Sequence, residues 1–179
     1  MNHFTLHTTE NTTGERQQIL TGIKKGYGFV PNLFGYMAES PIAVKAYLQL
    51  NELLAQSSLP AAQLQIALLT SSVENGCEFC STAHRATGKK SGANQQSLDA
   101  LNNAAEIEDP SDRAIAKITK LLIENRGWVE EADINEFLTA GFTRQNYMEL
   151  IVVVTIKTLS NYANHVTKPE INPELLAML

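Results

Sequence analysis

Apolar residues recur every three to four positions along most of the chain, and this spacing predicts a series of amphipathic helices. Two helix starts are marked by a capping residue followed by proline, at Ser40-Pro41 and Asp109-Pro110, because such pairs cap a helix and begin its first turn. Glycines mark several of the ends. We predict helices over residues 15–25, 41–54, 60–75, 78–90, 94–103, 110–126, 130–140 and 143–166.

One stretch, residues 150–156, is rich in valine and isoleucine and has the composition of a strand. It continues without a turn signal to residue 163, so we interpret it as part of a buried helix that is apolar nearly all round. Prolines predict an irregular connector around residues 26–34 and an irregular tail after residue 168. The sequence therefore predicts one all-α domain of about seven or eight helices at residues 15–179, preceded by a polar arm at residues 1–14.

The composition is that of an ordinary globular protein, with 44% hydrophobic and 18% charged residues. A net charge of -5 without a basic stripe argues against nucleic acid as a partner. No signal-peptide pattern and no apolar run of bilayer-spanning length is visible, so we expect no membrane association and a cytoplasmic location. In that reducing compartment, two cysteines indicate redox or metal chemistry rather than a structural disulfide.

The two cysteines of the chain, Cys77 and Cys80, form a Cys-x-x-Cys motif directly after Gly76. His84 follows at helical spacing, so the three side chains are expected on one face of a helix, and Glu74 lies three residues before the first cysteine. The free N–H groups and the dipole at a helix entry lower the pKa of a thiol. The thiolate is the reactive form of cysteine, and the second sulfur can then close a disulfide.

Each of these side chains has an expected role. We expect Cys80 to be the attacking sulfur because His84 is nearest to it, and Cys77 to be the resolving partner that an external reductant attacks. The reverse assignment stays open, since Cys77 lies closer to the positive end of the helix. Glu74 would orient His84 or hold a proton itself, and His165 would line the same pocket if the last helix packs on the motif.

Two other uses of the motif compete with redox chemistry. Cys77, Cys80, His84 and Glu74 could together bind one metal ion in a metal-stabilised interaction module, although structural zinc normally takes four protein ligands and no second cysteine pair exists. The thiols could also be inert core groups. We favour redox use, and we predict neither a metal nor a cofactor.

The sequence Glu-Asn-Gly-Cys-Glu-Phe-Cys-Ser-Thr-Ala-His at residues 74–84 resembles the active-site signature of alkyl hydroperoxidase D-like proteins, which belong to the carboxymuconolactone decarboxylase superfamily. Residues 26–33, 37–41 and 161–165 resemble the peroxidase-related branch of that group. The resemblance implies an all-helical fold that assembles into homo-oligomers, either trimers or hexamers. It also implies reduction of hydroperoxides through a Cys77–Cys80 disulfide, with Cys80, His84 and a glutamate in a proton relay, and a dithiol reductant such as a thioredoxin-like or lipoyl protein.

One position departs from the family pattern. Members often carry a relay glutamate twelve residues before the first cysteine, and that position here is Gln65. Either Glu74 takes the role or the relay is weakened, because an amide does not carry a proton as a carboxylate does. The main prediction is therefore a thiol-dependent peroxidase with a His84/Glu74 relay. The alternative is a thiol–disulfide oxidoreductase or redox sensor with little peroxidase activity.

Overall fold

The structure is a computed structural model that describes residues 3–179, and helices are the only regular secondary structure in that range. The all-α prediction is confirmed, although the helix count is higher than predicted. The ten helices of the described range are α1 (Gly14–Tyr27), α2 (Asn32–Met37), α3 (Pro41–Leu54), α4 (Ala61–Glu74), α5 (Glu78–Lys90), α6 (Gln95–Asn103), α7 (Pro110–Glu124), α8 (Glu131–Thr139), α9 (Arg144–Thr167) and α10 (Pro173–Leu176).

The two additional helices, α2 and α10, are short, and each begins at a proline. Pro31 is the N-cap of α2, so a helix starts directly after the residue that was expected to keep this segment irregular. Pro173 lies in the first turn of α10, where a missing N–H group costs no hydrogen bond. The predicted irregular connector and tail are wrong at these two places, because proline can start a helix as well as end one.

Helix α4 lies at the centre of the fold, in contact with α5, α6, α7 and α9. Its residues 66–72 are all buried, including three hydroxyl side chains, Thr70, Ser71 and Ser72. Each hydroxyl donates to the carbonyl oxygen four residues earlier, at 2.7–2.9 Å. Because an unpartnered buried hydroxyl is costly, these bonds allow small polar residues to lie in a packed interface. The helix thus forms a rigid support for α5 and α9, which carry the site.

Helix α9 confirms the helical interpretation of the strand-like stretch, because residues 144–167 form one continuous helix. Thr143 and Asn146 close its N-terminus with a capping box. The expectation that this helix is buried nearly all round is wrong. One side is exposed and carries Met148, Ile151, Tyr162 and Val166. The assembly into trimers or hexamers that the resemblance implies stays a prediction.

The turn between α4 and α5 sets the position of the cysteine motif. Gly76 has a φ of 65°, a left-handed conformation that favours glycine. The N–H of Gly76 donates to the carbonyl of Val73 at 2.9 Å, and the N–H of Cys77 donates to the carbonyl of Ser72 at 2.8 Å. These are the two hydrogen bonds of a Schellman ending. Cys77 then becomes the N-cap of α5, which confirms the predicted placement at a helix entry.

The N-terminal segment, described from residue 3, packs against α2 and the loop that follows it. The N–H of His7 donates to the carbonyl of Gly35 at 3.1 Å, and the N–H of Thr5 donates to the carboxylate of Glu39 at 2.8 Å. A Cβ at position 35 would lie 2.8 Å from the carbonyl oxygen of His7, so this close approach requires glycine. The first two residues of the predicted arm lie outside the described range. Within that range, no helix combines the length and the apolar character needed to cross a bilayer.

Candidate active site

Cys77 and Cys80 lie together at the N-terminus of α5, where this helix packs against α9. Both thiols are reduced, and each residue is only 3% exposed. Asn164 of α9 donates from Nδ2 to both sulfurs, at 3.5 Å to Cys77 Sγ and 3.2 Å to Cys80 Sγ. Ser160 Oγ lies 4.0 Å from Cys80 Sγ. Both sulfurs thus lie against one amide nitrogen, and a Cys-x-x-Cys pair arranged in this way can close a disulfide on oxidation.

A buried lysine, Lys157 of α9, connects this pair to His84. The lysine is almost fully enclosed, with 1% of its surface exposed. Its Nζ lies 2.9 Å from His84 Nε2, and its positive charge lowers the pKa of the Cys80 thiol. A buried ammonium is costly unless an anion and good acceptors surround it. A thiolate at Cys80 supplies the negative charge that this lysine needs.

His84 is linked to Cys80 through Lys157. Its Nδ1 lies 3.0 Å from Gln65 Oε1, and its Nε2 faces the lysine ammonium. Because an amide oxygen only accepts hydrogen bonds and an ammonium only donates them, this arrangement selects the neutral imidazole with its proton on Nδ1. Burial and the positive charge of Lys157 lower the pKa of His84 well below its usual value, in agreement with that assignment. The imidazole therefore accepts a hydrogen bond from the lysine and remains uncharged.

The two cysteines differ in their preference for the proton. The hydrogen bond from Cys77 and the charge of Lys157 hold the pKa of Cys80 well below its usual value, even though burial acts in the opposite direction. The hydrogen bond to Cys80, together with burial, raises the pKa of Cys77. These pKa directions favour a thiolate at Cys80 and a protonated thiol at Cys77. The arrangement favours Cys80 as the nucleophile over the reverse assignment.

Glu74 lies outside this cluster. Its carboxylate pairs with Lys120 of α7 at 3.3 Å, while both ring nitrogens of His84 face other groups. The predicted orientation of His84 by Glu74 is therefore wrong, and Gln65 is the residue that orients the imidazole. The physical reason is the turn at Gly76. Glu74 is the last residue of α4 and reaches α7, whereas the chain reverses after it and carries His84 to the other side.

For the peroxide reduction that the resemblance implies, we expect Glu74→Gln to leave the rate within about twofold of the unmodified protein. The carboxylate takes part in a partly exposed ion pair, which is worth roughly 0.2–1 kcal/mol of folding free energy. Steady-state peroxide assays and thermal unfolding measure the two effects. Lys120→Gln removes the same ion pair from its other side and is the matched control. A loss of about tenfold or more in Glu74→Gln alone would show that this carboxylate acts in the relay.

A cavity of about 430 Å³ opens beside Cys80, His84 and Lys157. Most of its wall is apolar or aromatic, formed by Tyr27, Phe29, Leu33, Phe34, Tyr47, Leu68, Phe79, Leu175 and Met178. Gln65 and Thr87 contribute polar groups near the imidazole. The thiolate and its counter-charge thus lie in the wall of an apolar cavity of the size that binds small organic molecules.

Cys77 faces a different and more open depression of about 390 Å³. Of the two cysteines in the described range, only Cys77 lines this depression and only Cys80 lines the apolar cavity. His165 lies in the depression beside Cys77, together with Lys168 of the following segment. His165 thus lines a depression together with one cysteine of the motif, but it does not reach the cavity that contains Cys80 and His84. Each sulfur therefore faces a different opening.

The described residues contain no group of three or more His, Cys, Asp or Glu side chains arranged to hold a metal ion. The ammonium of Lys157 faces His84 Nε2, and the carboxylate of Glu74 is paired with Lys120. His84 and Glu74, two of the four metal ligands considered from the sequence, therefore contact lysine side chains instead. The geometry does not support the metal-stabilised alternative.

Two side chains of the site, Lys157 and Asn164, were not predicted from the sequence. The available signal for Lys157 was a single charged residue inside an otherwise apolar helical stretch, since lysine is almost never fully buried without a partner. The signal for Asn164 was its position one turn after Asn161. Asn161 itself accepts from Asn75 Nδ2 at 2.9 Å, which ties the turn before the cysteine motif to α9.

Several solved structures share this fold. The alkylhydroperoxidase AhpD core of an uncharacterized peroxidase-related protein from Ralstonia eutropha JMP134 has a TM-score of 0.84 and 21% identity, over 97% of this chain and 93% of that one. A peroxidase-related protein from Silicibacter sp. TM1040 has a TM-score of 0.79 and 19% identity, over 97% and 95%. The debrominase Bmp8, a cysteine-to-alanine variant in complex with 2,3,4-tribromopyrrole, has a TM-score of 0.80 and 15% identity, over 99% and 96%.

The fold and the site define an all-helical protein of alkyl hydroperoxidase D-like architecture with a buried Cys-x-x-Cys pair. Residues 41–108 match the carboxymuconolactone decarboxylase family, whereas no curated protein sequence gives a match. The family match over residues 41–108 and the shared fold agree with the resemblance of the cysteine motif to alkyl hydroperoxidase D-like proteins of the carboxymuconolactone decarboxylase superfamily. The matched segment includes the cysteines and His84 but ends before α9, which provides Lys157.

Proposed function

We propose that this protein is a thiol-dependent peroxidase that reduces hydroperoxides through a Cys77–Cys80 disulfide cycle. One observation carries the proposal: Cys80 and the buried Lys157 line the same apolar cavity, and the amide of Asn164 contacts the sulfurs of both cysteines. The peroxidase-related neighbours have the same fold and are consistent with this reaction. The debrominase has that fold as well, so the proposal rests on the site and not on the fold.

In the first step, the Cys80 thiolate attacks the distal oxygen of the hydroperoxide. The S–O bond forms as the O–O bond breaks, so that Cys80 becomes a sulfenic acid and the remaining oxygen leaves as an alkoxide. The ammonium of Lys157 is within reach of this centre and supplies the proton that converts the alkoxide to an alcohol. Charge is balanced, because one thiolate and one ammonium are consumed together.

In the second step, the Cys77 thiol condenses with the sulfenic acid. Its sulfur forms the disulfide bond with Cys80, and its proton leaves with the hydroxyl group as water. An external dithiol then attacks the disulfide from the depression that Cys77 lines, and is itself oxidised to a disulfide. This reduction returns a thiol at Cys77, a thiolate at Cys80 and one proton for Lys157. The predicted cytoplasmic location is an environment that contains such dithiols.

His84 and Gln65 act through the lysine in this mechanism. The imidazole accepts a hydrogen bond from Lys157 at Nε2 and donates one from Nδ1 to Gln65. These two hydrogen bonds hold the ammonium of Lys157 on the side of the site where Cys80 lies. A neutral imidazole adds no second positive charge to a buried site that already contains one. The proposed proton relay therefore uses a lysine and no carboxylate. A glutamine at position 65 is compatible with it, because this residue only has to orient the imidazole.

Titrating the reduced protein with a simple alkyl hydroperoxide tests the proposal. We expect each equivalent of peroxide to consume both thiols and form one intramolecular disulfide, detected by thiol quantification and by a mass decrease of two hydrogens. The variant Cys77→Ser is expected to stop at the Cys80 sulfenic acid, which a sulfenic-acid-trapping reagent labels. Peroxide that leaves both thiols of the reduced protein intact would contradict the proposed function.

The second candidate is thiol–disulfide exchange, as an oxidoreductase or redox sensor with little peroxidase activity. Gln65 at the imidazole, in place of a carboxylate, and the separate approach to Cys77 favour it. In that case the Cys77–Cys80 disulfide would exchange rapidly with dithiols while the reduced protein reacts slowly with peroxide. The same titration therefore separates the two candidates.

A further inference from the structure

The side chains that line the apolar cavity indicate which class of substrate it can hold. Among the described residues that line it there is no aspartate or glutamate, and two lysines, Lys90 and Lys157, provide the positively charged side chains. Lys157 is engaged with Cys80 and His84 deep in the site. Lys90 is exposed and lies at the C-terminal end of α5, beside Ser91, which also lines the cavity. The cavity thus combines a reactive inner end, an apolar wall and a cationic outer end.

Lys90 has no ion-pair or hydrogen-bond partner within residues 3–179. Its neighbour on the same helix, Lys89, donates to the carbonyl oxygen of Leu179 at 3.1 Å and does not line the cavity. That contact ties the end of the chain to α5, and Leu175 and Met178 of the same segment form part of the cavity wall. Lys90 therefore remains available for an anion that enters the cavity.

The spacing between the two ends follows from the helix. Cys80 and Lys90 lie ten residues apart on α5, which corresponds to about 15 Å along the helix axis. A molecule that reaches both ends needs an apolar chain of about that length between its reactive oxygen and its anionic group. Hydrogen peroxide and short alkyl hydroperoxides are too small to do so and would bury little apolar surface against the wall.

We propose that the preferred substrate is a hydroperoxide of a long-chain carboxylic acid. Its hydroperoxide group lies at Cys80, its hydrocarbon chain packs on the aromatic wall, and its carboxylate pairs with Lys90 at the mouth. This inference rests on the proposed peroxidase function and deepens it by assigning a substrate class. Burial of the chain supplies most of the affinity. The lysine selects the acid over an uncharged molecule of the same shape.

The 13-hydroperoxide of linoleic acid and its methyl ester form a matched pair for the test, because the ester removes the negative charge of the carboxyl group and leaves the reactive group unchanged. We expect a KM about three- to tenfold lower for the acid than for the ester. Lys90→Gln should raise the KM of the acid to about that of the ester and so remove the difference between the two substrates. Lys25→Gln removes an exposed cation of α1 that does not line the cavity, so it controls for long-range charge.

Equal KM values for acid and ester, or the same loss in Lys90→Gln and Lys25→Gln, would overturn the substrate assignment and leave the peroxidase intact. Binding of the corresponding hydroxy acid to the reduced protein, measured by calorimetry, gives a readout that needs no turnover. If no hydroperoxide is consumed, the peroxidase proposal fails. Calorimetry then decides separately whether the cavity binds a long-chain carboxylate in a manner that depends on Lys90.

Discussion

Replacing Cys80 with serine is expected to reduce peroxide consumption by at least about 1,000-fold. The hydroxyl group has nearly the same size as the thiol, so the packing against Asn164 and Ser160 is retained. A serine hydroxyl beside Lys157 stays protonated at neutral pH, however, and cannot act as the nucleophile that a thiolate provides. Stopped-flow measurements of peroxide loss with the reduced variant check this expectation, and circular dichroism confirms that the fold is intact.

The matched control for this variant is Cys77→Ser. It should retain one fast reaction with peroxide, since Cys80 is still present, and should then stop because no disulfide forms. The two serine variants thus separate the attacking sulfur from the resolving one. Near-normal peroxide consumption by Cys80→Ser, with loss in Cys77→Ser, would instead show that Cys77 attacks first.

Replacing Lys157 with methionine is expected to lower the rate of the peroxide reaction by roughly 10- to 100-fold at neutral pH. Methionine keeps the length of the side chain but removes the charge that holds the pKa of Cys80 down. The pKa of Cys80 should therefore rise, and less thiolate is present at a given pH. The acid limb of the pH–rate profile should move to higher pH by the same amount. The ultraviolet absorbance of the thiolate, followed against pH in the Cys77→Ser background, measures the shift directly.

This variant also tests the contribution of the lysine to stability. Removing one partner of a buried charge pair leaves the other unpaired until it takes up a proton, so we expect a lower melting temperature at neutral pH. Lys157→Arg keeps the charge but not the shape, and we expect it to retain the low pKa of Cys80 more fully than the methionine variant does. An unchanged pH profile in Lys157→Met would contradict the electrostatic role of the lysine.

Local signals in the sequence predicted most of the helices and part of the site. Ser40, Asp109 and Thr143 each accept a hydrogen bond from the first turn of the helix that they precede, as their positions indicated. Gly76 ended α4 and placed Cys77 at the entry of α5, because the required left-handed conformation is specific enough to be recognised from sequence. Short helices after prolines were missed, since the same residue is compatible with either outcome.

The remaining part of the site depends on contacts between distant segments. Lys157 reaches His84 across 73 residues of sequence, and Asn164 reaches Cys80 across 84. These contacts depend on the register of α9 against α5, which no local pattern specifies. For Glu74 the prediction was wrong in the opposite direction, because it assumed a contact that the structure does not contain. This residue is close to the motif in sequence, but the turn that places Cys77 also directs this carboxylate to Lys120.

The buried lysine also has a consequence for the energetics of the redox couple. On the proposed mechanism, the reduced centre contains one negative and one positive charge, and the oxidised centre contains an uncharged disulfide and an uncharged amine. The enclosed centre is therefore electroneutral in both states, so that oxidation never leaves an uncompensated ion in the low-dielectric interior between α5 and α9. Two electrons leave with two protons, one from Cys77 and one from Lys157. The protein thus cycles between redox states without a change in the net charge of its core.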